Sequence, residues 1–337
     1  MMQKSQVTIK DIAQELGIAI STVSRALQNH PRIGLKTKEQ VFEVAKRLNY
    51  VPNPAAILLR KNKTYTVGVV FPHLQEEFFS QAITGIEDVI SAKGYNVVIS
   101  QSRDKLEREN RAIKSFISSR VDGVIASISA ETTQYYSFKE LENYGIPLVF
   151  FDRVPKDVAV NKVRGNIVEA AFEATSFLAK KGITKIAILN GPSNLEISNE
   201  RLEGYWKALK SLNLPIIQQY IKSTDLTKED TFKKMEELMA LSERPQAVLC
   251  FNDYVALFAM QSCRQKGIVP NTDIHFVSFA NLPITAYLDN PPMASVEQFA
   301  YKMGEQAALL LLKIIDAKQY KTLIPEEIII DTELVIH

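Results

Sequence analysis

Residues 7–50 read VTIKDIAQELGIAISTVSRALQNHPRIGLKTKEQVFEVAKRLNY, and their pattern predicts a small helical domain at the amino terminus of the chain. Thr8 followed three positions later by Asp11 forms a capping box, the signal that opens a helix. Apolar residues then recur at helical spacing until Gly17, which ends the helix. A second short helix follows over about 20–28. Two short helices joined by a tight glycine turn predict a helix-turn-helix.

A third helix is predicted to begin at Thr37, where Gln40 completes another capping box. Residues 1–63 carry eleven basic and four acidic side chains, a formal charge of +7, whereas the rest of the chain carries −5. A basic head on an acidic body favours a polyanion as the partner of the head. From charge alone, a merely solvated basic surface is the alternative.

The length of 337 residues, with 46% hydrophobic and 23% charged residues, predicts a globular protein of about two domains. No apolar run approaches the ~18 residues that span a membrane, and the first ten residues lack the apolar core of a signal peptide. We therefore expect a cytoplasmic protein. Two cysteines, four scattered histidines and the absence of phosphate-loop, hydrolase and dinucleotide motifs predict no enzyme, no metal site and no cofactor.

After Thr64, short β-branched runs alternate with amphipathic helical stretches. Strands are predicted over 67–71, 96–100, 121–127, 147–151, 185–190, 247–251 and 275–279. Nearly all-apolar strands at a spacing of ~25–30 residues are typical of parallel sheets built from strand–helix–strand units. Seven such strands could form one wide sheet or two lobes. The long interval between Asp152 and Lys185 favours a lobe junction there, with later crossings near 293–298 and 320–326.

Four motifs of the head stand in order along the chain. They are TIKDIA from Thr8, GIAISTVSR from Gly17, KTKEQV from Lys36 and LNYVPNPAA from Leu48. At this spacing they resemble the amino terminus of the lac-repressor-like (LacI/GalR) family of bacterial transcription regulators. The resemblance continues through the body in VGVVFP, RVDGVI, GIPLVFFDR, RLEGY, FNDYVALFAMQ and PPMASVEQ.

The resemblance implies an all-α helix-turn-helix head followed by a hinge helix and a two-lobed α/β body. The body is similar to periplasmic binding proteins and has parallel sheets. The implied boundaries are 1–50 for the head, 51–63 for the hinge and linker, and 64–337 for the effector-binding and dimerisation body. The first lobe is expected over about 64–163 and 295–322, and the second over about 164–294 and 323–337.

The resemblance also implies which residues contact DNA. Ile20 and Ser21 occupy positions that read bases in the major groove, and Arg25 fits a guanine or phosphate contact. Leu59 is the wedge that kinks the operator from its minor groove. The whole implied set is Thr8, Ile20, Ser21, Thr22, Ser24, Arg25, Asn29, Asn53, Ala56 and Leu59. The alternatives are core packing for Ile20, a solvated charge for Arg25, and for Leu59 burial against the body or a slip to Leu58.

Polar residues follow two predicted strands of the body, where ligands bind in α/β sheets. By the resemblance, Asp152, Arg201, Asn252 and Asp253 form the polar clamp of a small-molecule effector, a sugar or a sugar phosphate. The implied effector-binding set is Phe78, Phe79, Ser127, Asp152, Arg153, Arg201, Asn252 and Asp253. Helix capping is the alternative for Asp253, and core packing is the alternative for the two phenylalanines.

This chain departs from the family pattern in three places. Ala19 stands where the family often has a serine helix cap, which removes about 1 kcal/mol of helix stability. Ala280 stands where some sugar-binding members have Asp, and KVRGNIVEAA, from Lys162, replaces an Asp-rich turn. Part of the usual sugar contact set is therefore missing, which leaves the identity of the effector open.

The sequence thus predicts a ligand-responsive, sequence-specific transcription regulator. We expect it to be a repressor that acts on carbohydrate utilisation genes. Its expected partners are a palindromic double-stranded DNA operator, a small-molecule effector and a second copy of the chain, with no membrane. One alternative is a sugar-binding sensor whose head does not read a specific operator. Another is an enzyme on a two-lobed fold, for which the sequence offers no nucleophile–base set.

Overall fold

The structure is a computed structural model that describes residues 7–51, 63–155, 158–317 and 324–337. It divides into two compact units, Met1–Thr64 and Tyr65–His337. In the described ranges, no helix has the length and apolar character needed to cross a membrane. The two cysteines, Cys250 and Cys263, are both buried and free.

The first unit contains three short helices around a small core of its own. They are α1 (Ile9–Leu16), α2 (Ile20–Leu27) and α3 (Leu35–Arg47). Each helix buries one apolar face, and the most deeply buried side chains are Ile12, Val23, Ala26 and Val41. Helices of this length are marginal in water by themselves, so this shared core supplies most of their stability.

The caps of the helices agree in part with the predicted ones. Thr8 and Asp11 form the predicted capping box of α1, and Gly17 ends that helix with a φ of 62°. The predicted start of α3 at Thr37 is wrong, because the helix begins two residues earlier. Gly34 takes the extended conformation of a helix cap, with φ −63° and ψ 151°, without a side-chain hydrogen bond.

The second unit alternates strands and helices. In chain order these are β1 (Thr66–Phe71), α4 (Glu77–Ala92), β2 (Asn96–Gln101), α5 (Leu106–Ser118), β3 (Gly123–Ala126), α6 (Tyr136–Asn143), β4 (Leu148–Phe151), β5 (Lys162–Gly165), α7 (Ile167–Lys180), β6 (Ile186–Asn190), α8 (Glu196–Ser211), β7 (Ile221–Ser223), α9 (Lys228–Met239), β8 (Ala247–Cys250), α10 (Asp253–Gln265), β9 (His275–Phe279), β10 (Ala294–Glu297), α11 (Ala300–Asp316), β11 (Glu327–Ile330) and β12 (Glu333–Ile336). Two short 3-10 helices lie at Gln218–Tyr220 and Pro283–Tyr287.

These strands form two six-stranded sheets, one in each lobe. The first has the order β11-β5-β4-β3-β1-β2 and is parallel throughout. The second has the order β12-β10-β9-β8-β6-β7, with β12 antiparallel to β10. The central strands are buried on both faces, as their apolar composition predicts. Two lobes, and not one wide sheet, are therefore the architecture.

The chain passes between the sheets three times, after β5, after β10 and after β11. The first passage lies close to the predicted boundary at 163. The second differs, because Ala294–Glu297 pairs in the second sheet and the first lobe resumes at α11. The third lies between Ile330 and Glu333 and not at 322. The apolar run of this last segment looks like one strand, but its two halves belong to different sheets.

Close approach of two helices stabilises the first lobe. A side chain added at Gly304 of α11 would collide with the backbone of Ala82 in α4, and one at Gly85 would collide with the backbone of Tyr301. Each helix therefore places a glycine where the other backbone passes. This contact packs α4, which begins beside the cleft between the lobes, against α11, which starts just after a passage between them.

Candidate functional site

Polar residues from both lobes meet in a cleft at the carboxyl ends of the strands. Asp152 follows β4 of the first lobe, Asn252 follows β8 of the second, and Arg201 projects from α8. The side chains that line this cleft are Glu76, Phe78, Phe79, Asp152, Arg153, Ile197, Arg201, Phe251, Asn252, Ala280 and Gln298. They enclose about 30 Å³. The position is the one where ligands bind in open α/β sheets.

A larger cavity of about 380 Å³ adjoins this cleft and shares Glu76 and Asn252 with it. Its lining residues are His73, Gln75, Glu76, Asp104, Asp225, Leu226, Thr227, Asn252, Tyr254 and Phe258. Both spaces are lined by charged groups as well as by aromatic faces. This combination suits a ligand that has hydroxyl groups on an apolar ring face.

Arg201 is held between two aromatic rings. Its guanidinium carbon lies 4.1 Å from the ring centroid of Phe251 and 4.3 Å from that of Phe279. One terminal nitrogen donates to the carbonyl of Ile197 at 3.2 Å, whereas the buried Nε has no hydrogen-bond partner among the described residues. Burial lowers the pKa of Arg201 to about 10, against the opposing charge of Asp152. The side chain is thus rigid, charged and short of acceptors.

Asp152 presents the opposite charge from the first lobe. Burial raises the pKa of its carboxyl to about 6, although the charges of Arg153 and Arg201 act in the other direction. Its backbone has a φ of 57°, in the left-handed region, while its amide donates to the carbonyl of Val163 at 3.0 Å. A non-glycine residue in this region is strained, and such strain often accompanies a functional side chain.

Arg153 points back into the first lobe. Its terminal nitrogen lies 2.7 Å from Oδ1 of Asp104, and only 4% of the residue is exposed. Burial acts to raise the pKa of Asp104, but hydrogen bonding to His73 and the charge of Arg153 outweigh it and hold that pKa at about 2. The positive charge of Arg153 is therefore balanced within the protein.

Six of the eight predicted effector residues line the cleft, namely Phe78, Phe79, Asp152, Arg153, Arg201 and Asn252. Phe79 also belongs to the core of its lobe, where it stacks on Phe71 at 5.9 Å. Asn252 caps α10 as well, because its Oδ1 accepts the amide of Val255. Ser127 does not line the cleft. It is buried beneath it, and its hydroxyl accepts the amide of Arg153 at 3.4 Å.

Asp253, also predicted as an effector residue, is not among the residues that line the cleft. Its carboxylate is fully buried. Oδ1 accepts the hydroxyls of Ser278 and Ser295, and Oδ2 accepts the amide of Leu282 at 2.6 Å. Asp253 therefore fixes the segment that carries Ala280 along the edge of the cleft, which is a structural role.

Sequence reasoning missed several polar or aromatic residues of the two cavities, among them Glu76, Asp104, Tyr254 and Gln298. Asp104 and Gln298 follow β2 and β10, so the rule that placed Asp152 at a strand end would also have found them. Glu76 precedes the first turn of α4 and carries a pKa that burial raises. Tyr254 sits in the first turn of α10, where nothing in its spacing distinguishes it from a core aromatic residue.

The candidate DNA-recognition surface lies on α2. Ile20 is 43% exposed, so it is not a core residue of the head, and Ser21 and Arg25 are exposed beside it. Thr22 and Ser24 are half-buried, and Ser24 accepts a hydrogen bond from Gln28. These five predicted residues share a helix whose other face, with Val23 and Ala26, is buried.

The other predicted DNA contacts have different surroundings. Thr8 is exposed, and its hydroxyl takes part in the cap of α1. The side-chain oxygen of Asn29 accepts from Nζ of Lys38 at 2.7 Å, and the residue has a φ of 54°. The hinge residues Asn53, Ala56 and Leu59 lie outside the described residues.

Comparison with known proteins agrees with this architecture. Residues 8–53 match the lacI family of bacterial regulatory proteins, and residues 67–319 match the periplasmic binding protein domain. The HTH-type transcriptional repressor CytR of Escherichia coli K12 is 30% identical over 310 residues, which is 92% of this chain and 90% of the relative.

Two solved structures are similar over nearly the whole chain. A complex of the transcriptional regulator CelR with cellobiose has a TM-score of 0.73 and 25% identity, and the match covers 98% of this chain and 99% of that one. The lac repressor dimer bound to operator and the anti-inducer ONPF has a TM-score of 0.86, with 98% of each chain covered. At 23% identity, this last likeness concerns the fold.

The helix-turn-helix head and the two-lobed ligand-binding body define the class of ligand-responsive transcription regulators. The chain belongs to the LacI family of bacterial regulatory proteins. The relatives are DNA-binding transcriptional repressors, and their likeness supports a ligand-responsive repressor of the same kind.

Proposed function

We propose that this protein is a repressor that binds a palindromic operator as a homodimer and responds to a neutral, hydroxyl-rich ligand such as a sugar. The observation that carries the ligand assignment is the convergence of Asp152, Arg201 and Asn252 on one cleft between the lobes. Vicinal hydroxyls both donate and accept hydrogen bonds. They can therefore satisfy a carboxylate together with the Nε of Arg201, which has no hydrogen-bond partner in the described part of the chain.

The charges of the cleft favour a neutral ligand over a phosphorylated one. Glu76 and Asp152 line the cleft beside Arg153 and Arg201, and Asp104 already balances Arg153. A phosphate would have to enter between these carboxylates without a surplus of positive charge to receive it. The cellobiose bound by CelR, a relative of similar fold, supports the choice of a neutral sugar.

The head supports sequence-specific binding. Ile20, Ser21 and Arg25 are exposed on α2, and a recognition helix must present such side chains to the major groove. A second copy of the chain would supply the second half-site, because dimeric readers bind two-fold symmetric operators. The hinge residues Asn53, Ala56 and Leu59 remain the proposed minor-groove contacts.

The test of DNA binding is selection from a randomised DNA pool by the full-length protein at physiological salt. We expect a palindrome to emerge. Arg25→Ala should abolish its enrichment, whereas Arg32→Ala, which removes the same charge from an exposed position outside α2, should weaken binding evenly for all sequences. Weak binding without sequence preference would favour instead a sensor whose head does not read an operator.

The test of the ligand is a thermal-shift screen with neutral monosaccharides, disaccharides and their phosphates. We expect stabilisation by a neutral member of the set, and no stabilisation of the Arg201→Lys variant by the same compound. Lysine keeps the charge but cannot present a planar set of donors between two rings. Stabilisation by a phosphorylated compound alone would contradict the neutral-ligand proposal.

A further inference from the structure

Four loops at the carboxyl edge of the first sheet meet on a single carboxylate, that of Asp104. Asp104 lies in the turn after β2, where both it and Arg103 have positive φ values, 57° and 51°. The three groups that contact it come from the loops after β1, β3 and β4. They are the ring of His73, the amide of Ala130 and the guanidinium of Arg153.

The three contacts divide unequally between the carboxylate oxygens. Oδ1 accepts from Arg153 at 2.7 Å and from the amide of Ala130 at 2.8 Å, while Oδ2 lies 3.0 Å from Nε2 of His73. Arg153 and Ala130 thus share one acceptor atom. A change in the strength or direction of one hydrogen bond alters the charge available to the other.

Ala130 is also where the first lobe touches the second. Its carbonyl accepts a hydrogen bond from the side-chain amide of Asn194, in the loop after β6, and its side chain packs on the core of the second lobe. The same segment is anchored from below by Glu109, which accepts the amide of Ser129 at 2.7 Å and the hydroxyl of Thr132 at 2.5 Å. The loop is therefore fixed to its own lobe at both Glu109 and Asp104, and it presents one carbonyl to the other lobe.

We propose that Asp104 is a positioning residue that couples Arg153, in the cleft, to the Ala130–Asn194 contact between the lobes. A ligand that drew the guanidinium of Arg153 toward itself would weaken the hydrogen bond from Arg153 to Oδ1 of Asp104. Because the amide of Ala130 donates to the same oxygen, the position of the Ala130 loop would change as well. The claim that a ligand acts through this coupling rests on the proposed function. The coupling itself, from Arg153 through Asp104 to the second lobe, does not depend on that function.

Hydrogen exchange on the full-length protein without any ligand tests this link. In the Asp104→Asn variant we expect exchange to become about tenfold faster in peptides covering 128–132 and, across the cleft, 191–196, because the neutral amide is a weaker acceptor and holds the loop less firmly. Faster exchange confined to the first lobe would mean that Asp104 supports only its own loops and would overturn the proposal, as would unchanged exchange.

Asp122→Asn is the matched control. Asp122 lies just before β3, at the opposite edge of the same sheet, and also accepts a backbone amide, that of Tyr65 at 2.7 Å. The Asp122→Asn variant should leave hydrogen exchange at 191–196 unchanged. If exchange there became as fast as in Asp104→Asn, the cause would be a general loss of stability, which would contradict the coupling.

The Arg153→Met variant tests the link between the cleft and the second lobe. It replaces Asp104→Asn in the experiment if that variant does not fold. It should also alter exchange at 191–196, by about threefold or more, since it removes one of the two groups that share Oδ1. Unchanged exchange in this variant would overturn the proposal. Because no ligand enters either experiment, failure of the ligand screen leaves these results standing, and a negative result here leaves the ligand assignment intact.

Discussion

The guanidinium carbon of Arg201 lies 4.1 Å from the ring centroid of Phe251 and 4.3 Å from that of Phe279. The two rings take the place of water around the guanidinium, whose buried Nε has no hydrogen-bond partner among the described residues. Because burial lowers the pKa of Arg201 only to about 10, the group stays charged at neutral pH. The cleft therefore holds a fixed, planar donor before any ligand arrives, which reduces the entropy that binding must overcome.

The ring of Phe251 should matter for ligand affinity. We expect Phe251→Leu to weaken binding of the compound found in the screen by about tenfold, because leucine fills part of the volume but provides no ring face for the guanidinium. Isothermal titration measures this loss. Phe276→Leu, a change of equal size in the core of the same lobe, is the control and should lower stability with less effect on affinity. Equal losses of affinity in the two variants would contradict the stacking argument.

Ligand affinity should depend on pH through Asp152. Its folded pKa of about 6 exceeds the ordinary value of 3.8, so the ionised form is disfavoured by burial in the free protein. A ligand hydroxyl that donates to the carboxylate binds the ionised form, and affinity should therefore fall about tenfold per pH unit below pH 6. Titrations between pH 5 and pH 8, in steps of about half a unit, measure this slope. Asp152→Asn should remove most of the slope as well as much of the affinity.

The same shift affects stability without ligand, with the opposite sign. A carboxyl whose folded pKa is raised stabilises the fold below its unfolded pKa of about 4, and this contribution is lost as the pH rises to about 6. The difference in unfolding free energy between wild type and Asp152→Asn should therefore change over this interval and be constant above it. Urea unfolding at several pH values checks this, and a difference that changes only above pH 7 would contradict the assignment.

Much of the fold could be predicted because its signals are local. The buried strands are apolar on both faces, and the Thr8–Asp11 box and Gly17 bound the first helix by their own chemistry. β5 was missed, because its four residues include Lys162 and Arg164, and only pairing with β4 and β11 makes them a strand. The late passage between lobes was misplaced for the same reason, since sheet membership of Ile330 and Glu333 depends on distant partners.

The candidate site was predictable where the strand ends determine it and not where a side chain has a choice of partners. Asp152 and Asn252 follow strands and reach the cleft. Asp253, one residue further, turns to Ser278 and Ser295, which lie 25 and 42 residues away along the chain. Asp104 follows a strand in the same way as Asp152, but its role depends on the positions of three other loops.

Asp253 should be important for stability and not for ligand contact. Asp253→Ala would remove the acceptor of the Leu282 amide and of the Ser278 and Ser295 hydroxyls. Of these donors, Ser278 alone has a second acceptor among the described residues, Oγ of Ser295 at 3.3 Å. We expect the substitution to lower the free energy of unfolding by about 3 kcal/mol. Urea unfolding of the full-length protein measures this change. Asp225→Ala, which alters an acid of the cavity lining, should cost much less. A small cost at Asp253 would return it to the set of possible ligand contacts.

Ala19→Ser should stabilise the recognition helix. Ala19 has the extended backbone of a helix cap, φ −65° and ψ 144°, but offers no side-chain acceptor to the first turn of α2. The hydroxyl of a serine there can accept a hydrogen bond from a backbone amide in the first turn of α2. Such a cap stabilises a helix by about 1 kcal/mol. Hydrogen exchange of the amides of α2 in the full-length protein should slow by about fivefold, while exchange in α1, whose cap is already complete, should not change. No slowing in α2 would mean that another group already satisfies this helix end.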